Sequence, residues 1–408
     1  MTTMNQEVET RTPKAITHGN FQQLLQSKVA EVVCEPEYSW GNDFKSFMTD
    51  DDGNPVVRVA ITNCAPDMDI WEGLRSPAHV GMYPLNLEDV WMHYAAANVK
   101  STRYDGSPNP LAMPETYDEA LHRIRRAVIV SAMLIINPQI YELYAEKVRR
   151  GDEDPFDYYG RAMNEAAAII DKSVAKLGLS LMDPDRAVVP MTNKNTTAIT
   201  DRTRSDYTKG KYHGPCNNHW PQNSITVMTG LMRFGISRLP FRDEVGPDGE
   251  RQRLYGKYRS IVIFDEEDLV TDAADGISLL DSDHLAWLRR VNDYTDVSPE
   301  TVAERYCTYN IAKSDGTSVC GKCIEMCPSN ALLNSSPLPD GTHSERISNQ
   351  KHRFWEGTVD FDYGNCCRER GQKALLMEEY VCARCETICA AYGIRKSASE
   401  IESINGCV

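Results

Sequence analysis

Cys320-Gly321-Lys322-Cys323-Ile324-Glu325-Met326-Cys327-Pro328 is answered further along by Cys382-Ala383-Arg384-Cys385-Glu386-Thr387-Ile388-Cys389. Both segments read C-x2-C-x3-C. Two thiolates separated by two residues can wrap one face of a cubane iron–sulfur cluster. The third, followed by proline, is directed to the other cluster in two-cluster ferredoxins. Each cubane needs four thiolates, so each run of three has to be supplemented. Exchange of the third cysteines gives one cluster on Cys320, Cys323 and Cys389 and a second on Cys382, Cys385 and Cys327. Cys307 is the nearby cysteine upstream that can complete the first, and either Cys366 or Cys367 can complete the second, Cys366 being slightly preferred. The expectation is two [4Fe–4S] clusters. A single cubane and a zinc ribbon, built from paired C-x2-C knuckles, are the alternatives, but a zinc knuckle has no use for the third cysteine of each run.

Outward from these runs, the rest of the chain sets the context. Nine of the 13 cysteines fall between Cys307 and Cys389, a crowding that suits a metal site better than a disulfide scaffold. Cys34, Cys64 and Cys216 read as small buried hydrophobes, the usual place of a free thiol, and Cys407 as an exposed thiol of the terminal tail. With 408 residues, the chain exceeds a lone ferredoxin module and leaves room for a large domain beside a small one. Apolar residues make up 41% of it, enough to build a core. The net charge of −15 argues against nucleic acid as the default partner. No apolar run reaches the ~18 residues of a membrane span. The opening MTTMNQEVETRTPK carries neither a hydrophobic signal core nor a twin arginine, so a cytoplasmic location is expected.

Periodicity predicts helices over 21–33, 117–125, 139–150, 160–177 and 224–234, with Gly178 as the stop of the fourth. It predicts strands over 56–62, 127–136 and 260–264, the second ended by Asn137-Pro138. Such mixed elements imply an α/β or α+β sandwich. Composition changes near residue 300, where cysteines, short elements and polar loops take over. The division expected is a mobile tail over 1–20, an α/β core over 21–300, a cluster domain over 301–395 and a tail over 396–408.

Three further segments, taken in order with the cysteine runs, resemble the superfamily of reductive dehalogenases and epoxyqueuosine reductases. Tyr158-Tyr159-Gly160-Arg161-Ala162-Met163 is similar to its "GYSRMA" segment, which opens a helix ending in "LG", here Leu177-Gly178. Pro215-Cys216-Asn217-Asn218, leading to Gly230-Leu231-Met232-Arg233-Phe234-Gly235, is similar to "PCGN" leading to "GLGELG". Gly249-Glu250-Arg251-Gln252-Arg253-Leu254 is similar to "GPRVRL". The resemblance covers about residues 120–390. It departs from the usual pattern at Thr317, where a first cysteine is customary, and at Ala390, where a proline is.

The resemblance implies a nitroreductase-like, cobalamin-binding core followed by a bacterial-ferredoxin-like domain with two clusters that pass electrons to cobalt and on to a small organic substrate. It implies Tyr159 as proton donor, with Arg253 or Arg251 stabilising its anion or binding substrate, and Asn217 or Asn218 on the substrate side. Tyr158, Gly230 and Gly235 would complete the cofactor site, the glycines by letting backbone approach the corrin. The partners implied are a small-molecule substrate and an external donor such as ferredoxin or flavodoxin, with no membrane. The alternatives are a two-cluster electron-transfer or corrinoid-activating protein without cobalamin, and an epoxyqueuosine-like tRNA reductase, which the acidic charge fits poorly.

Overall fold

The computed structural model describes residues 18–35, 45–63, 87, 90–91, 127–150, 156–181, 187–192, 195, 220, 222, 225–226, 229, 231–234, 240–245, 251–264, 323, 327, 332–334 and 359–361. Within them run helix α1 (His18–Val33), strand β1 (Val57–Asn63), β2 (Ala127–Ile135), α2 (Pro138–Arg149), α3 (Phe156–Leu181) and β3 (Ala187–Met191). They are followed by β4 (Arg233–Phe234), β5 (Pro240–Val245), β6 (Arg251–Leu254), β7 (Gly256–Phe264), β8 (Leu332–Asn334) and β9 (Val359–Phe361). The expected helix over 117–125 and the tail over 396–408 lie outside the described residues, and of the tail expected over 1–20, residues 18–20 belong instead to α1.

β1, β2, β7 and β3 form one antiparallel sheet in that order. The described part is therefore α+β, with helices packed on an antiparallel sheet. β2 reads AVIVSAMLI and is buried at every position, which requires cover on both faces. Strand alternation divides it. Val128, Val130, Ala132 and Leu134 join the core shared with α1 and α3. Ile129, Ser131, Met133 and Ile135 belong to the opposite face.

On the helical side, α1 contributes Phe21, Leu25, Val29 and Val32, a spacing of one helical face. α3 contributes Met163, Ala166, Ile169, Ile170, Val174 and Leu177. Full burial of each larger apolar side chain stabilises by roughly 1.5–3 kcal/mol, so this layer holds the helices to the sheet. Lys176 bridges the two helices to Glu31 at 2.7 Å and Glu35 at 3.0 Å, and Lys172 also pairs with Glu35. These pairs lie at the surface, exposed at Glu31 and half-buried at Glu35, and fix the crossing of the helices more than they stabilise it.

α3 differs from the expected helix at both ends. It starts at Phe156 and runs through Gly178 to Leu181. Gly178 is no stop. A Cβ there would collide with the ring of Pro190 on β3, so glycine lets the helix close on the strand. The expected helix over 224–234 is also corrected at its end. Arg233–Phe234 form a strand against β5, with Arg233 opposite Phe241 and Phe234 opposite Pro240.

β4, β5 and β6 make a second sheet, tied to the first by Glu244. Its carboxylate accepts from Arg58 Nε at 2.7 Å and Nη2 at 2.8 Å. Burial would raise this carboxyl, but Arg58 and then Arg242 outweigh it and leave the group below the ordinary carboxylate range. Among the described residues, no helix is long and apolar enough to cross a membrane.

Candidate functional site

Three constellations bear on function. The first lies at the end of the main sheet where β6 hands over to β7. Asn137 caps α2, its Oδ1 accepting from Gln139 N at 3.1 Å with Pro138 next in line. Its own N–H donates to Ser46 O at 3.2 Å, while Ile136 N donates to Tyr255 O at 3.0 Å. Ser46, Asn137 and Tyr255 therefore mark one end of the sheet. α3 passes Ser46 at Glu165, pairs Asp171 with Arg259 of β7, and meets Pro190 at Gly178. It thus runs along β7 in the same direction. The backbone of Tyr159, six residues before Glu165, lies ~9 Å further toward the Tyr255 end at 1.5 Å per residue.

Arg253 is at that same end, two residues before Tyr255. It is buried, with its guanidinium stacked 3.9 Å from the centroid of the Phe241 ring, inside the range of a cation–π contact. Arg251 lies on the same strand, opposite Val245, while Arg253 is opposite Asp243. Sequence reasoning missed Glu165. It is a buried carboxyl on the core side of α3, and its signal was a lone acidic residue inside the apolar stripe of the best helix. Burial pushes its carboxyl above the ordinary range. The Ser46 hydroxyl offsets part of the rise without reaching standard hydrogen-bond geometry.

The second constellation covers the sheet face away from the helices. Trp91 meets Phe264 edge-on at 5.1 Å. Trp220 Nε1 donates to Ser260 Oγ at 2.8 Å, and Ser260 Oγ donates to Gln222 Oε1 at 3.1 Å. Ser131 stands directly opposite Ser260 in register. All four side chains are buried, and among the described residues neither Ser131 Oγ nor Gln222 Nε2 has a hydrogen-bond partner. The signal in the sequence was a single serine in each of two otherwise apolar strands, AVIVSAMLI and SIVIF, but only the register shows that they meet. Trp220 and Gln222 follow closely on Asn217 and Asn218. Those two asparagines, Gly230 and Gly235 lie outside the described residues, and nothing is described of the side chains of Tyr158, Tyr159 or Arg251.

The third constellation is the cysteine region. Cys323 is buried and Cys327 half-buried. β8 and β9 pair antiparallel, with Leu332 opposite Phe361 and Asn334 opposite Val359. Chain entering β8 and chain leaving β9 therefore share one end of the hairpin. Cys327 precedes Leu332 by five residues and Cys366 follows Phe361 by five. Each can lie no more than ~17 Å from its strand end, given ~3.3–3.6 Å per extended residue. Cys307, Cys320, Cys366, Cys382, Cys385 and Cys389 fall outside the described residues. Among the described residues no three metal-ligating side chains converge, as expected when two of the eight expected ligands are among them.

No protein-family model, curated protein or solved structure matches the chain. The fit to the expected cofactors therefore rests on the residues themselves. Buried Cys323, in a C-x2-C-x3-C-P run, is of a residue type and spacing that suit a cluster ligand. Of the residues expected to hold a cobalamin, Arg253 is the one whose side chain is among the described residues.

Proposed function

We propose that the chain is an iron–sulfur reductase that resembles reductive dehalogenases, with two [4Fe–4S] clusters and a cobalamin, acting on a small organic substrate. One observation carries the cluster half of this reading. The β8–β9 hairpin lies between Cys327 and Cys366, and its antiparallel register sends both flanking chains to one end. That arrangement supports a cluster that draws Cys327 from one run and Cys366 or Cys367 from between the runs, together with Cys382 and Cys385. Cys307, Cys320, Cys323 and Cys389 would hold the other.

Bound cobalamin would supply a cobalt centre able to take up electrons and reduce a substrate. The chain's own residues would supply the proton and the charge. Tyr159, at the start of α3, would donate a proton from its phenolic oxygen. Arg253, at the same end of the sheet, would favour the phenolate left behind, since a nearby cation stabilises an anion. Arg253 is suited to that work because its stacking on Phe241 holds the guanidinium at a fixed position in a buried site. Asn217 or Asn218 would face the substrate, and an external ferredoxin or flavodoxin would deliver electrons. The location proposed is the cytoplasm.

Metal and cofactor analysis of protein purified without oxygen tests the proposal. The expected result is about eight irons per chain, together with cobalt or with uptake of added hydroxocobalamin. Eight irons in protein that refuses cobalamin would leave a two-cluster electron carrier. Zinc in place of iron would defeat both readings.

A further inference from the structure

We infer that Glu165 is a pH-sensitive latch on residues 45–49: with its carboxyl protonated it holds this strap against α3, and on ionising it releases the strap's Ser46 end from the sheet. The inference stands apart from the cluster and cobalamin readings. Ser46 is 3% exposed and Glu165 9%. Ser46 meets Glu165 through its side chain and Asn137 through its backbone. The strap is tied unevenly. Its far end is a ladder, with Met48 N donating to Ile135 O at 2.9 Å and Val56 N to Met48 O at 2.8 Å. Among the described residues, its near end is tied by Asn137, whose N donates to Ser46 O at 3.2 Å and whose Nδ2 donates to Lys45 O at 3.2 Å. The longer bonds are therefore the ones next to Glu165.

A neutral carboxyl can share its proton with the Ser46 oxygen. A carboxylate can only accept, and one hydroxyl does not replace the water shell of a buried ion. None of the described charges on the packed elements acts on Glu165. On the sheets, Arg58 and Arg242 pair with Glu244 and Arg259 with Asp171, while Arg253 stacks on Phe241 and Lys257 is engaged elsewhere. On the helices, Lys172 and Lys176 pair with Glu31 and Glu35, and Arg150 with Glu146. Lys45 Nζ lies over the Phe47 ring, 6.0 Å from its centroid. The phenols of Tyr141 and Tyr255, which meet edge-on at 5.9 Å, are uncharged in the range where carboxyls titrate. Burial therefore keeps the proton on Glu165, and the Ser46 hydroxyl opposes it in part. Once pH passes the raised value of this carboxyl, the charge draws in water and the nearest bonds give way. The freed end borders the place where β6 hands over to β7, so the order of that end of the sheet depends on pH.

Hydrogen–deuterium exchange of the full-length protein, purified without oxygen, tests the latch when it is resolved to single amides and corrected for the intrinsic effect of pH. The Asn137 amide reports the Ser46 end. The Ile136 amide, which donates to Tyr255 O at 3.0 Å across the sheet, is the internal control. As pH is raised from the ordinary carboxylate value to above neutrality, the parent should lose protection several-fold at Asn137 and keep it at Ile136. Glu165→Gln should keep both. Ser46→Ala retains the carboxyl but removes the donor that favours its charged form, so the loss at Asn137 should begin at higher pH. Protection at Asn137 that does not change with pH overturns the inference. So does an equal loss in Glu165→Gln, which would assign the titration to another group. A joint loss at Ile136 and Asn137 overturns it too, because the whole sheet end would then be opening. A loss that begins at lower pH in Ser46→Ala does the same, since the hydroxyl would then be opposing ionisation.

Discussion

Glu165 and Arg253 are the carboxyl and the guanidinium that the described core buries, and the chain treats them in opposite ways. A guanidinium is weakly hydrated and stacks well, so Arg253 can keep its charge over Phe241. Among the described residues no cation acts on Glu165, and burial pushes its carboxyl up against the smaller opposing effect of Ser46. A carboxyl raised in the folded state holds its proton longer than in the unfolded chain. Its contribution to stability is therefore greatest at low pH. That contribution falls as pH rises from the ordinary carboxylate value and is fully lost above the raised folded value. Glu165→Gln keeps the shape and removes the titration. Urea midpoints should show the variant gaining on the parent as pH is raised from the ordinary carboxylate value toward neutrality; a variant that loses ground over that interval would mean that the charged carboxylate is stabilised by something else. Tyr159 is tested by rate. If it donates the proton, Tyr159→Phe should retain iron and cofactor while turnover slows by roughly 10²–10⁴-fold, and a variant as fast as the parent would return Tyr159 to packing.

At the scale of elements, α3 shows what periodicity can and cannot deliver. Its apolar stripe from Ala162 to Leu177 was legible because residues on one helical face recur every three or four positions. Its end was misread because a glycine after such a stripe usually marks a stop, whereas Gly178 is there to let α3 meet Pro190. That contact depends on β3, and β3 was missed for a related reason. AVVPM contains a proline, which argues against a central strand. β3 is an edge strand, and the Pro190 carbonyl turns outward to Asn195 Nδ2 at 2.8 Å. The nitrogen of the same residue faces the same way, so no ladder bond is lost. β5 and β6 escaped notice because their residues are charged and short in span, and Glu244 is held there by Arg58 from a distant strand together with Arg242 of β5 itself. Gly178→Ala tests the helix–strand contact. Alanine favours helix by ~1 kcal/mol over glycine, yet its Cβ must displace a ring held in a strand, an overpacking that costs ~1–3 kcal/mol. A lower denaturation midpoint is expected, and a higher one would mean that Pro190 yields without cost. Gly256→Ala should be worse, because a Cβ there runs into the backbone oxygen of Leu134, which has less freedom to move.

Over the whole molecule, the part of the site that the sequence made legible is the part whose chemistry is local. Thiolate spacing follows from the reach of two or three residues around a cluster, so the runs at Cys320 and Cys382 could be read directly. The polar group on the sheet could not, because Ser131 and Ser260 are far apart in sequence and meet only through register. The cysteine region has a long-range element of its own, since the β8–β9 register sets Leu332, five residues after Cys327 in sequence, beside Phe361, five residues before Cys366 in sequence. Iron content after single substitution tests the cysteines themselves. Cys323 is buried. If it were only a small hydrophobic residue, alanine would replace it with slight effect and unchanged iron. As a ligand, its loss should take the parent's roughly eight irons down by one to four, as a cluster is trimmed or shed. Cys34→Ala, at an exposed position outside both runs, is the control and should keep the full complement. Cys366 and Cys367 should divide unequally, because neighbouring side chains on an extended chain point to opposite sides and one cubane has room for one of them. Equal, mild losses from both would place the fourth ligand elsewhere, and an unchanged count in Cys323→Ala would remove the cluster from that run altogether.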